Sequence, residues 1–193
     1  MKKYKIVAIQ GSYRENGITT SMLQYAVAKA KNIGHDVTYI NLFEKNIDFC
    51  KGCRKCLETT ECIFKNDDMP EIRRQIKEAD IIFLAAPVYW ANVPAIVKNL
   101  FDRLLGASMQ ETKTFPKARM TGKRYLFFTA YNTRMPFAKW FGQTPGVLRA
   151  VREYFKTSGV QCIGNVICAN TGVIKEIPEK CLQKTDRLLK KIV

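Results

Sequence analysis

Apolar and polar positions alternate along this chain in blocks of two kinds. Apolar runs of strand length stand at residues 4–9, 37–42, 80–86, 123–130 and 160–169. Between them apolar residues recur at the three- and four-residue spacing of a helix face. One such set is Met22, Leu23, Ala26, Val27, Ala30 and Ile33, ending at Gly34; a second is Ile72, Ile76 and Ala79, opened by Asp67-Asp68 and Pro70. A third runs through Val93, Ile96, Val97, Leu100, Phe101, Leu104 and Leu105, and a fourth through Val147, Leu148, Val151, Tyr154 and Phe155 to Gly159. A last helix is expected over 177–193, with Pro178 in its first turn. The run at 80–86 is apolar without interruption after Asp80, as a strand covered on both faces must be. Five strands alternating with five helices, with no repeat or linker, predict a single α/β domain over 1–193: a doubly wound parallel sheet with helices on both faces. Ligands of such a sheet lie beyond the carboxyl ends of its strands, where residues 11–20, 87–93 and 129–131 would meet.

Two stretches leave the pattern. Residues 43–66 show no apolar period, which is long for a connection in a compact domain and marks an insertion with a purpose of its own. Residues 131–146 form a long aromatic loop with Phe137, Trp140 and Phe141.

Composition narrows the function classes. The 193 residues are 47% hydrophobic, yet no apolar run approaches membrane-spanning length, so a soluble protein is expected. Residues 4–9 are too short for a signal-peptide core, which points to the cytoplasm. Seven cysteines in a reducing compartment then indicate metal or redox chemistry rather than structural disulfides. The net charge of +15, from 32 Lys and Arg against 17 Asp and Glu, favours anionic partners. Those basic residues are spread along the chain beside no nucleic-acid motif, so a zinc-held basic module that binds nucleic acid is the weaker alternative. His35, the only histidine, lies in a helix-to-strand turn where a surface place is expected, and no Ser–His or Cys–His pair supports a hydrolase.

Residues 11–20 form a strand–turn–helix at which free backbone N–H groups and the positive end of a helix dipole coincide. Ser12, Thr19 and Thr20 add hydroxyls, and Arg14 adds a charged fork for a terminal phosphate. The turn is neither a Walker A nor a dinucleotide fingerprint, and an ordinary capped turn is the plain alternative. Pro87-Val88-Tyr89-Trp90-Ala91-Asn92 offers aromatic faces for a flat ring and N–H groups for its polar edge, although Tyr89 and Trp90 would also suit an interface. A phosphate at one end and a flat heterocycle at the other describe a mononucleotide, with flavin the natural candidate.

Within 43–66, Cys50-x2-Cys53-x2-Cys56-x5-Cys62 sets four soft ligands close together, with Gly52 easing a tight wrap. Zinc sites generally use two separated pairs, so this compact set favours iron and sulfur, against the alternative of reduced thiols. Lys51, Arg54, Lys55 and Lys65 would offset thiolate charge. Cys162, Cys168 and Cys181 are expected in the core.

Three motifs carry a resemblance over essentially the whole chain. Gly11-Ser12-x-Arg14-x-x-Gly17-x-Thr19, Ala86-Pro87-Val88-Tyr89-Trp90 and Lys98-x3-Asp102-Arg103 resemble the NADPH-dependent FMN reductase family of flavodoxin-like proteins. The resemblance implies strand order 2-1-3-4-5 and FMN held at its phosphate by Ser12, Arg14, Gly17, Ile18, Thr19 and Thr20. Pro87, Val88, Tyr89, Trp90, Asn92 and Val93 would frame the isoalloxazine, with Thr129 and Tyr131 closing the set from the fourth strand. It implies an oxidoreductase passing electrons from NAD(P)H to a small acceptor such as a quinone or flavin, with no catalytic acid or base of its own. The 2-2-5 cysteine spacing followed by Asp67-Asp68-Met69 resembles the iron–sulfur flavoproteins. That likeness implies a [4Fe–4S] cluster on Cys50, Cys53, Cys56 and Cys62, relaying electrons from ferredoxin to FMN. The family's habit of forming homodimers or homotetramers would make Trp90 or Trp140 an interface anchor.

Overall fold

The structure is a computed structural model that describes residues 2–192. In chain order its elements are β1 (Lys5–Gln10), α1 (Ile18–Asn32), β2 (Asp36–Asn41), α2 (Cys56–Thr59), α3 (Met69–Glu78), β3 (Ile81–Ala85) and α4 (Ala95–Arg103). They continue with α5 (Leu105–Ser108), β4 (Met109–Gln110), β5 (Lys117–Ala118), β6 (Arg124–Tyr131), α6 (Phe137–Trp140), α7 (Gln143–Ser158), β7 (Gln161–Ala169) and α8 (Glu179–Leu189). Short 3-10 turns follow β2 and α8.

The five long strands pair in parallel in the order β2-β1-β3-β6-β7, which is 2-1-3-4-5 when only these strands are counted. This is the doubly wound, flavodoxin-like sheet, and side-chain alternation explains it. Ile6 and Ala8 of β1, Ile81 and Phe83 of β3 and Leu126 and Phe128 of β6 face one core with Met22 and Leu23 of α1 and Leu188 of α8. Their neighbours Val7, Ile9, Ile82, Leu84 and Phe127 face the other core, against Ile72 of α3, Val97 of α4 and Val151 and Phe155 of α7. Both faces are covered, so successive residues are apolar.

Residues 43–66 contain only α2 and part of a 3-10 turn, in keeping with their lack of period. The connection after α4 holds α5 and a small antiparallel pair, β4–β5.

Residues 131–146, expected as a loop, hold α6 and the start of α7, and two expectations of burial also fail. His35 is buried: its ring meets Tyr4 edge-on at 5.5 Å, and its Nδ1 accepts from the Tyr4 backbone N–H at 3.5 Å. Cys162 is exposed, because β7 is an edge strand and its register against β6 slips between Tyr125 and Leu126, turning the strand's start outward. Cys168 and Cys181 are buried, as expected.

Candidate functional site

Sheet register brings the loops together. Gln10 pairs with Ala85 and Ala85 with Phe128, so β1 and β3 end side by side while β6 runs three residues farther. Beyond β3 the chain still follows β6, with the Ala86 N–H donating to Phe128 O (3.0 Å) and the Val88 N–H to Ala130 O (3.2 Å). The Gly11 N–H donates to Ala85 O at 2.7 Å, and a Cβ at Gly11 would lie 2.2 Å from Val97 Cγ2. Only glycine lets the first loop approach so closely. The Arg14 carbonyl then accepts from the Gly17 N–H (3.2 Å) and the Thr20 hydroxyl (2.8 Å), folding the loop over the start of α1. Gly17 supplies no side-chain cap, and no acidic residue occupies the first turn of α1. The dipole end is left to an external anion.

After Pro87 the chain makes a two-residue hairpin. Tyr89 and Asn92 exchange backbone hydrogen bonds of 2.9 Å, with Trp90 and Ala91 at the corners at φ of 52° and 59°. Positive φ at both corners is the type I′ geometry that glycine and asparagine normally serve. Here a fully exposed tryptophan holds one corner. Such a conformation on a bulky residue stores strain and is typical of functional loops. α7 packs directly behind the turn, since a Cβ at Gly146 would stand 2.3 Å from Ala91 O.

The remaining wall comes from the loops after β6 and β7. Thr171 donates its N–H to Tyr131 O (3.1 Å) and its hydroxyl to Asn132 Oδ1 (2.8 Å), while the Asn170 N–H reaches Thr133 O at 3.3 Å.

These walls enclose a cleft of about 910 Å³. Ser12, Arg14, Gly17, Ile18, Thr19, Pro87, Val88, Tyr89, Trp90 and Tyr131 of the expected set line it. Thr20, Asn92, Val93 and Thr129 do not. The Thr20 hydroxyl is spent on Arg14 O, and Asn92 Oδ1 accepts from the Val93 N–H at 2.8 Å. Val93 belongs to a core, and Thr129 is buried under the cleft with its hydroxyl unpartnered among the described residues. Sequence reasoning missed Asn132, Thr133, Gln143, Thr171, Gly172, Ile174 and Lys175. Strand order alone could have pointed to the loop after β7. Buried hydroxyls and a helix N-terminus at one end, with an apolar and aromatic turn at the other, fit a phosphorylated flat ring.

The cysteine loop is clamped by one face of α4, and Cys50 and Gly52 share a second concavity with Asn92 at the end of the hairpin. Asn99 accepts from the Cys50 N–H (3.1 Å) and donates to Asp48 O (3.2 Å). One turn on, Arg103 donates to Asp48 O and Asp67 Oδ2, both at 2.6 Å, and to Phe64 O at 3.0 Å. The Arg103 and Asp67 side chains are each 1% exposed, and Arg103 Nε has no partner among the described residues. Burial pushes the Cys56 thiol up; the Gly106 N–H opposes this, and the nearby Cys62, Cys50 and Cys53 reinforce it. Four thiols in one neighbourhood suit an iron–sulfur group in kind and number. Their arrangement is not assembled: among the described residues no three His, Cys, Asp or Glu side chains are placed to hold a metal ion.

Similarity to known proteins agrees with this geometry. The family described as NADPH-dependent FMN reductase matches residues 4–135. The chain belongs to the NADPH-dependent FMN reductase family. Among curated relatives of this reductase-family chain, an iron–sulfur flavoprotein of Archaeoglobus fulgidus is 41% identical over 101 residues, 52% of this chain and 46% of the relative. An iron–sulfur flavoprotein of Methanosarcina thermophila is 36% identical over 99 residues, 51% of each chain. The chain thus spans about half the length of the curated relatives it matches. Among solved structures, an FMN-dependent NADH-azoreductase of Bacillus anthracis in complex with FMN superposes with a TM-score of 0.73 at 16% identity, covering 100% of this family member and 97% of that chain. An NAD(P)H:quinone oxidoreductase of Methanothermobacter marburgensis gives 0.69 at 14% identity, covering 98% and 95%. At such identities these two establish the fold alone.

Proposed function

We propose that this FMN reductase family member is an FMN-dependent oxidoreductase passing electrons from NAD(P)H to a small acceptor, such as a quinone or a free flavin. One observation carries the reading: a single cleft joins the uncapped start of α1, with Arg14, to the strained Tyr89–Asn92 hairpin. FMN, once bound, would supply the redox chemistry. The chain would supply position. Ser12, Thr19 and the first turn of α1 would donate to the phosphate, Pro87, Val88, Tyr89 and Trp90 would frame the ring, and Tyr131 would line the opposite wall. Nothing in this scheme asks a side chain to move a proton. Exposed Trp90, which lines the cleft, together with exposed Trp140 and Phe141, supports a homodimer or homotetramer in which a second copy covers the ring. No helix among the described residues is long and apolar enough to cross a membrane; a cytoplasmic place is part of the proposal.

The deciding experiment offers FMN to the purified chain and follows flavin absorbance through gel filtration, then NADPH oxidation with a quinone. Stoichiometric FMN and steady turnover are expected. A chain that leaves the column colourless refutes the reading.

The clustered thiols and the names of the curated relatives favour a second mode, in which an iron–sulfur cluster on Cys50, Cys53, Cys56 and Cys62 takes electrons from a ferredoxin. Protein purified without oxygen would then carry about four iron atoms per chain beside FMN. Protein with full flavin, no iron and brisk NADPH turnover would sink this mode and leave the first.

A further inference from the structure

Charge around the cleft is one-sided. The chain contains 17 Asp and Glu, yet none of them lines the cleft, and its only charged lining residues are Arg14 and Lys175. They come from separate walls, Arg14 from the loop after β1 and Lys175 from the loop after β7. Neither side chain joins an ion pair among the described residues, whereas Arg54, Arg73, Arg74, Lys98 and Arg103 each have a carboxylate partner. Two cations left without counter-charge in one concavity repel each other, and an anion held between them removes that cost.

The segment bearing Lys175 is also fixed in place. Ile174 and Ile177 pack against the core cluster that contains Ile18, the first residue of α1, and both Ile174 and Ile18 line the cleft. Farther along the same helices, the Tyr25 hydroxyl donates to the Asp186 carboxylate at 3.0 Å, holding α8 against α1. Lys175 is therefore carried on a loop tethered beside the start of α1, the phosphate end of the cleft. A phosphate monoester carries about −1.5 to −2 charge at neutral pH, more than one guanidinium balances.

We propose that Lys175 is a second phosphate-binding cation of this cleft, and that with Arg14 it makes the site select a phosphorylated flavin over an unphosphorylated one. The proposal rests on the FMN reading above and adds to it a selectivity residue outside the first loop.

The test is equilibrium titration of flavin-free protein with FMN and with riboflavin, followed by flavin fluorescence at fixed salt, for the unaltered chain, Lys175→Gln and Lys175→Arg. Lys175→Gln is expected to weaken FMN about tenfold, the scale of a lost hydrogen bond to a charged group, and to leave riboflavin within about twofold. Lys175→Arg should recover most of the FMN affinity. Unchanged FMN affinity in Lys175→Gln overturns the proposal, and so does an equal loss for both flavins, which would mean a local structural role. If the unaltered chain binds neither flavin, the FMN reading itself falls, before any variant is compared.

Discussion

Arg103 is the last residue of a motif legible in the sequence, and its neighbours in that motif differ sharply from it in energetic weight. Lys98 and Asp102 pair at 2.5 Å in solvent, with side chains 56% and 43% exposed, an arrangement worth about 0–1 kcal/mol. Arg103 and Asp67 are buried together, and removing one leaves the other's charge stranded. Arg103→Met is therefore expected to cost about 3–5 kcal/mol in a urea melt, and adding Asp67→Asn should return part of that loss. A double variant no more stable than the single one would show that the guanidinium acts through its bonds to Asp48 O and Phe64 O instead. Gly11→Ala tests close approach in the same way. Its Cβ would meet Val97 Cγ2 at 2.2 Å and Ala85 O at 3.1 Å, so a loss of about 1–3 kcal/mol is expected, with weaker FMN uptake. Normal stability and normal uptake would mean that the first loop yields easily. Spacing and residue type revealed both positions, but nothing in the sequence distinguished the buried arginine from the solvated pair whose aspartate directly precedes it.

Elements were read well where periodicity is strong and poorly where a turn or an edge decides. The Tyr89–Asn92 hairpin was legible as an aromatic break after a buried strand. Its strain was not, since Trp90-Ala91 is a poor sequence for two positive φ values, and the turn stands on the paired Tyr89–Asn92 hydrogen bonds and on close packing against α7 at Gly146. Ala91→Gly should relieve about 1 kcal/mol at that corner and raise the urea midpoint. If the strain orients the ring, FMN affinity should fall while stability rises; a gain in both would make the strain incidental. Cys162 shows the complementary failure: its run reads as apolar strand, but an edge strand with a slipped register leaves its first residues open. Alkylation of metal-free protein, read by mass spectrometry, should label Cys50, Cys53 and Cys162 first and Cys56 and Cys62 more slowly. Cys168 and Cys181 should react only after unfolding. Early labelling of Cys168 or Cys181 would mean that the packing of α8 on β7 opens under native conditions. The β7–α8 loop escaped notice because its composition is bland, and only the placing of β7 beside β6 brings Thr171 and Lys175 to the cleft.

At the scale of the whole molecule, the alternating apolar pattern was enough to fix a two-faced parallel sheet and to point to the strand ends where the cleft lies, whereas net charge said little until it had a place. A formal charge of +15 exerts a field that any acidic electron donor would feel at a distance, while an uncharged quinone would not. That difference separates the two proposed modes by kinetics. Screening lengths shrink from about 30 Å at 0.01 M salt to about 8 Å at physiological ionic strength. If an acidic ferredoxin is the donor, kcat/KM for its reduced form should fall by about tenfold or more over that range, with kcat nearly constant, since steering acts on encounter. With NADPH as donor the dependence should be much shallower, because the charge that matters is then local to the cleft. A flat profile for ferredoxin beside measurable turnover would mean that its docking face is not the basic surface, and the field would then serve no purpose in electron delivery. A steep profile lost on neutralising Lys51, Arg54 and Lys55 together would instead place the encounter at the cysteine loop, the one segment where basic residues and candidate redox ligands alternate along the chain.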